Sequence, residues 1–62
     1  MYRYKGIGIY QSNISIARKI GISPETLSRI LNKKQLCSKT LAYAITKCVD
    51  VKMEINDLFD KE

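Results

Sequence analysis

The sequence predicts a small all-α domain, and three observations on its 62 residues carry that prediction. Ser12, Ser23 and Ser38 each precede a stretch whose apolar residues recur at helical spacing, and serine is a preferred residue at a helix N-terminus. Gly21 directly follows the first stretch, where a glycine in the left-handed conformation ends a helix without steric cost. Pro24 begins the second stretch, at a position where a helix does not need the backbone N–H that proline lacks.

The first two predicted helices are short and close together. They run from 13 to about 20 and from 24 to about 32, and an apolar stripe marks the buried side of each. The stripes are Ile16, Ala17 and Ile20 in the first helix and Leu27, Ile30 and Leu31 in the second. Three residues beginning with Gly21 separate the helices, and such a turn sets two helices at a steep angle. We expect Ile22 to fill the core at this turn and the small Ala17 to let the second helix approach closely.

Two further helices are predicted in the second half of the chain. The third helix, 38–48, has apolar residues at i, i+3, i+4 and i+7, the cleanest helical pattern in the sequence. These residues are Leu41, Ala44, Ile45 and Cys48. A short last helix, 54–59, is expected to bury Leu58 and Phe59, with Val51 and Met53 leading into it.

The first eleven residues do not form a good helix in this reading. Gly6 and Gly8 each cost roughly 1 kcal/mol against alanine in a helix. Tyrosine and isoleucine in near-alternation, from Tyr2 to Ile9, favour a strand instead. A short strand and a degenerate first helix are both open from the sequence.

The net charge of +5 is unevenly distributed along the chain. Residues 12–48 contain seven lysines and arginines and one acid, Glu25, whereas residues 49–62 contain five acids and two lysines. A domain with one nucleic-acid face has this concentration of positive charge, although a solvated surface with an acidic tail explains the charge alone equally well.

The same composition argues against several classes of protein. The chain has no histidine, no Cys-x-x-Cys pair and no glycine-rich phosphate loop, so we expect no metal, no cofactor and no enzymatic activity. Cys37 and Cys48 lie at opposite ends of the third predicted helix, too far apart for a disulfide at ~1.5 Å per residue. Free thiols and the absence of a long apolar run predict a protein of the cytoplasm.

One stretch of the sequence resembles a known family. The pattern Ser-Asn-x-x-Ile-Ala-Arg-Lys-Ile-Gly-Ile-Ser-x-x-Thr-Leu-Ser-Arg-Ile-x-Asn, from Ser12 to Asn32, is similar to the helix-turn-helix of phage Cro and repressor proteins, the XRE-like family. The resemblance is strong over 12–34 and continues more loosely to Phe59. It implies a compact lambda-repressor-like domain of four to five helices that binds operator DNA as a dimer. The single domain 1–62 then consists of a divergent segment 1–11, the helix-turn-helix 12–34 and supporting helices 38–59.

The resemblance also implies roles for individual residues. The positions implied to contact bases are Pro24, Glu25, Ser28 and Arg29. The positions implied to contact the DNA backbone are Asn13, Thr26, Asn32, Lys33, Lys34 and Lys39. Two of these residues, Thr26 and Ser28, match positions that touch either a base edge or a phosphate.

The chemistry of these side chains leaves several alternatives open. Arg29 can pair with guanine O6 and N7 or with a phosphate, and Glu25 can accept from cytosine N4 or simply complement the helix dipole. Pro24 can contact a thymine methyl group or only begin the helix, and Asn32 can end it as well as contact DNA. Lys33 departs from the family, which has glycine there, so the chain needs another way out of the helix.

The sequence therefore predicts a sequence-specific DNA-binding transcriptional regulator, a Cro-like repressor with the helix 23–32 in the major groove. The alternatives are an excisionase-like accessory factor and a helix-turn-helix that binds protein, as an antitoxin or anti-repressor partner does. A homodimer on a palindromic operator is expected, because one subunit buries little surface on DNA. Its interface is expected either in the tail near Leu58 and Phe59 or in the segment 2–10, with the tail preferred.

Overall fold

The computed structural model describes residues 1–7 and 12–62, and its elements there are four helices framed by two short strands. In chain order they are β1 Tyr2–Tyr4, α1 Asn13–Ile20, α2 Pro24–Leu31, α3 Lys39–Val49, α4 Ile55–Leu58 and β2 Phe59–Lys61. The prediction of a small helical domain is thus confirmed, and the two strands add a short two-stranded sheet to the helices.

Local signals at the helix ends explain why the three longer helices lie where the sequence predicts them. The hydroxyl oxygens of Ser23 and Ser38 accept hydrogen bonds from the backbone N–H groups of Thr26 and Leu41, each at 3.2 Å. Each bond satisfies one of the N–H groups that the first turn of a helix leaves without a partner. Ser12 occupies the same position before α1, but its side chain makes no such bond.

The sheet joins the two ends of the chain. β1 and β2 are antiparallel, with Tyr2 opposite Lys61 and Tyr4 opposite Phe59. The strand alternative is therefore correct for Tyr2–Tyr4, while residues 8–11 of the same prediction lie outside the described residues. Phe59 begins β2 rather than ending a helix, so α4 stops one residue earlier than predicted. Aromatic residues favour strands, and Phe59 meets the Tyr4 ring edge-on, with 5.4 Å between ring centroids.

The core is built from all the elements of the described chain. Its buried apolar residues are Tyr4, Ile16, Ala17, Leu27, Ile30, Cys37, Ala42, Ile45, Leu58 and Phe59. The stripes of α1 and α2 agree with this core, except that Ile20 and Leu31 are half-buried at its margin. Leu58 and Phe59 are buried in the core of one chain. They are therefore not available for the predicted tail interface between two copies.

The buried face of α3 differs from the predicted one. Ala42 and Thr46 are fully buried beside Ile45, whereas Leu41, Ala44 and Cys48 are half-buried. Thr46 can enter the core because its hydroxyl donates a hydrogen bond to the Ala42 carbonyl at 2.8 Å, so no polar group is left unpaired. The buried residues Ala42, Ile45 and Thr46 each lie one position after a residue of the predicted stripe.

The connection from α3 to α4 is stabilised by a lysine. Lys47 donates from its ammonium to the carbonyl oxygens of Met53, at 2.6 Å, and Val51, at 3.2 Å. Val51 itself is 75% exposed, so it does not lead into the core, whereas Met53 is half-buried against it. Cys37 and Cys48 are both free thiols.

Candidate nucleic-acid interface

The turn between α1 and α2 is formed by the residues that the sequence singles out. Gly21 has φ 80°, in the left-handed region, and its N–H donates to the Ala17 carbonyl at 2.9 Å. The N–H of Ile22 donates to the same carbonyl at 3.0 Å, which closes the end of α1. Ala17 is completely buried and Ile22 packs against the core, as predicted for a close approach of the two helices.

The helix α2 is fixed to the core by one face and leaves the opposite face free. Leu27 and Ile30 are fully buried. The outward stripe follows the spacing i, i+3, i+4 and i+7 and consists of Glu25, Ser28, Arg29 and Asn32. All four were singled out from the sequence, three for base contact and Asn32 for backbone contact. The geometry brings them together on one continuous surface.

Several polar side chains of α2 already have partners within the chain. The Thr26 hydroxyl lies 2.8 Å from the Ser23 hydroxyl, beside the N-terminal cap. Asn32 donates from its side-chain amide to the Ser28 hydroxyl at 3.2 Å. Pro24 is exposed at the first position of the helix. Ser28 and Asn32 are thus hydrogen-bonded to each other, whereas Glu25 and Arg29 are the members of the stripe without a side-chain hydrogen bond or ion pair to the described residues.

The C-terminal end of α2 shows how the helix ends with lysine rather than glycine at position 33. Lys33 itself adopts φ 62°, and it is the one non-glycine residue with positive φ in the described chain. Its N–H donates to the Ile30 carbonyl at 3.1 Å, and the N–H of Lys34 donates to the Arg29 carbonyl at 2.9 Å. This pair of bonds is the Schellman motif, which glycine at this position normally completes. The helix therefore ends in the left-handed conformation without a glycine, and Lys33 carries the backbone strain.

The cations around α2 are exposed and uncompensated. Lys33 and Lys34 follow the helix, and Lys39 begins α3. The ion pairs in residues 1–7 and 12–62 are Arg3 with Glu62 and Lys5 with Asp60, so the acidic tail neutralises β1 and leaves these lysines and Arg29 alone. Glu25 is the one acid on α2, so cations outnumber acids on this surface, and such a surface attracts a polyanion.

Asn13 lies apart from α2 in sequence, at the first residue of α1. It is exposed, and the first turn of α1 contains no acidic residue. The backbone N–H groups of that turn point outward with the positive end of the helix dipole, an arrangement that suits a phosphate oxygen.

Two contributors to this surface were missed by the sequence reading. Arg3 donates from Nη1 to the Lys33 carbonyl at 3.3 Å. Gly6 lies against the Lys33 side chain, so closely that a β-carbon there would meet Lys33 Cε at 3.0 Å. The contacts span 27 residues or more, and no local pattern indicates them. The one signal in the sequence was that Lys33 stands where the resemblance implies glycine, which indicates an unusual end of the helix.

Comparisons of the chain with protein-family models, with curated proteins and with solved structures give no match. In residues 1–7 and 12–62 no helix combines the length and apolarity needed to cross a membrane. The interpretation of the surface around α2 therefore depends on its own chemistry and on the resemblance of 12–34.

Proposed function

We propose that the protein is a sequence-specific binder of double-stranded DNA that regulates transcription as a Cro-like repressor, with α2 in the major groove. The observation that carries the proposal is the outward stripe of α2, which is polar, rigidly mounted and bordered by uncompensated lysines. A helix held by one face and charged on its borders has the form that enters a major groove.

Base recognition in this proposal belongs mainly to Arg29 and Glu25. Arg29 lies on the exposed stripe and forms no ion pair with the described residues, so its guanidinium is available to pair with guanine O6 and N7, a contact worth ~1–3 kcal/mol of discrimination. Glu25 is one turn earlier and can accept from cytosine N4. Ser28 and Pro24 complete the base-facing surface, Ser28 with its hydroxyl held by Asn32 and Pro24 with its ring.

Backbone contacts position the helix without reading the sequence. We assign them to the positions that the resemblance implies for this role: Asn13, Thr26, Asn32, Lys33, Lys34 and Lys39. If about five phosphates are neutralised per subunit, the logarithm of affinity falls with the logarithm of salt concentration at a slope of about −4 to −5. The protein acts in this proposal without enzymatic activity or cofactor, in the cytoplasm, where operator DNA is accessible.

We also propose that the repressor binds its operator as a homodimer on a palindrome about one helical turn apart. Because Leu58 and Phe59 lie in the core, the dimer must use other residues than the preferred tail contact. The first strand is a poor alternative at Tyr2, whose backbone bonds with Cys37 on one side while β2 pairs β1 on the other. Deleting residues 1–10 cannot test the interface, because the deletion removes the buried Tyr4. Sedimentation of the whole chain with and without duplex measures whether the dimer forms.

Selection of bound sequences from a pool of random duplexes tests the proposal. We expect an enriched palindrome whose half-sites contain guanine and whose binding weakens with salt at the stated slope. Enrichment without dyad symmetry, together with strong bending of the DNA, favours an accessory factor of recombination. A chain that retains no duplex at low salt, while it folds as described, contradicts DNA binding and favours a protein-interaction module.

A further inference from the structure

The loop 33–37 connects α2 to α3 and is attached to β1 at both ends. At its first residue, the Lys33 carbonyl accepts a hydrogen bond from Arg3 Nη1 at 3.3 Å. At its last residue, Cys37 exchanges two backbone bonds with Tyr2, 2.7 Å from Tyr2 N to Cys37 O and 2.9 Å in the reverse direction. The loop therefore takes its position from the N-terminal strand as well as from the helices that it joins.

Arg3 is suited to hold the loop because its guanidinium has two partners at once. Nε donates to a carboxylate oxygen of Glu62, while Nη1 reaches the Lys33 carbonyl. The planar guanidinium presents its donors in a fixed fork, so holding one partner orients the donor for the other. A lysine at this position has a single donor group on a flexible stem and cannot span both acceptors with the same geometry.

The residue that Arg3 holds is the one that needs support. Lys33 has φ 62°, a conformation in which the β-carbon of an L-residue is crowded by the backbone. Such a conformation persists where the surroundings over-determine it. Here the Schellman bond from its own N–H, the Arg3 bond to its carbonyl and the contact of its side chain with Gly6 all involve Lys33.

We propose that Arg3 is a positioning residue for the DNA-backbone contacts of Lys33 and Lys34. By holding the Lys33 carbonyl against the terminal sheet, Arg3 orients these two lysines. This inference rests on the proposed DNA binding. It assigns to the paired chain ends a role in affinity: the strand that joins the termini also sets where two of the phosphate-binding cations lie.

Arg3→Lys tests the proposal, because it keeps the net charge and removes the fork. Lys5→Arg is the matched control: it is the reverse exchange at the other ion pair of the same sheet, whose ammonium lies 3.8 Å from Asp60. Two quantities are measured for both variants: hydrogen exchange of the Lys34 amide without DNA, and affinity for a mixed-sequence duplex about two helical turns long.

For Arg3→Lys we expect Lys34 exchange to rise about fivefold, since the net loss corresponds to one hydrogen bond, and duplex affinity to fall by about two- to fivefold. Exchange in the middle of α3 should stay unchanged, and Lys5→Arg should alter neither quantity. Glu62→Gln keeps Arg3 but weakens its anchor, so it should move both quantities in the same direction by less.

Unchanged Lys34 exchange in Arg3→Lys overturns the proposal, whatever the DNA affinity. Faster exchange with unchanged affinity overturns the positioning role for DNA. A wild-type chain that binds no duplex overturns the proposed function itself, and the exchange measurement then still shows, without DNA, whether Arg3 holds the loop.

Discussion

Lys33→Gly should stabilise the protein, although it removes an exposed charged residue from a candidate binding surface. Lys33 holds φ 62°, which costs an L-residue roughly 1–2 kcal/mol and costs glycine nothing. Glycine gives back about 0.4–1 kcal/mol through the greater freedom of the unfolded chain. The Schellman bonds and the Arg3 bond involve no side-chain atom of residue 33, so they survive the substitution. The net gain is about 0.5–1 kcal/mol.

Urea unfolding followed by circular dichroism measures this gain, and the melting temperature should rise by about 2–8 °C for a domain of this size. Lys34→Gly is the matched control, because Lys34 is also exposed, carries the same charge and lacks the positive φ. It should be destabilised by about 0.4–1 kcal/mol. The difference between the two variants isolates the cost of the left-handed conformation. If Lys33→Gly is no more stable than Lys34→Gly, the account of this helix end is refuted.

Three further predictions concern recognition, packing and pH. Arg29→Ala should lose about 1–3 kcal/mol of binding free energy on the selected operator and much less on random duplex, whereas Lys34→Ala, at a proposed backbone contact, should weaken binding to both equally. Equal losses for Arg29→Ala in a binding titration would assign Arg29 to the phosphates. Ala17→Leu should lower the free energy of unfolding by about 1–3 kcal/mol, because Ala17 is completely buried, and unchanged urea unfolding would contradict the close approach of α1 and α2. Burial raises the pKa of Tyr4 above 10.0 and the pKa of the Cys37 thiol above 9.0. As pH rises, the two groups lose their protons in the unfolded chain before they do so in the folded one. The free energy of unfolding is therefore fully present at neutral pH and falls as pH rises past 9.0 and 10.0. A constant free energy of unfolding up to strongly alkaline pH would contradict the burial of both groups.

The helices of this fold were predictable because their determinants are local. Ser23, Pro24 and Gly21 each act on backbone groups within one turn, and the structure places them at the predicted helix ends. The outward face of α2 followed directly from the same reading, since the buried positions Leu27 and Ile30 fix which residues face outward. The candidate site was therefore predictable as a surface, although its function stays a prediction.

The terminal sheet was not predictable, because its determinants are far apart in sequence. Pairing of Tyr4 with Phe59 joins residues from opposite ends of the chain. Near-alternation indicated a strand at the first end, but the three residues of β2 are too few to show alternation. The face of α3 was misjudged for a different reason. A search for apolar residues alone passes over Thr46, although a hydroxyl bonded to the carbonyl one turn earlier can be buried without loss.

The most direct test of the central claim is an NMR titration of the isotope-labelled chain with the selected duplex. We expect the largest amide and side-chain chemical-shift changes at Glu25, Ser28 and Arg29, and smaller changes at Lys33 and Lys34. The buried Ile45 should be unaffected. Shifts centred on the exposed side of α3 or on the terminal sheet, with the stripe of α2 unchanged, would contradict the claim that α2 is the DNA-reading helix.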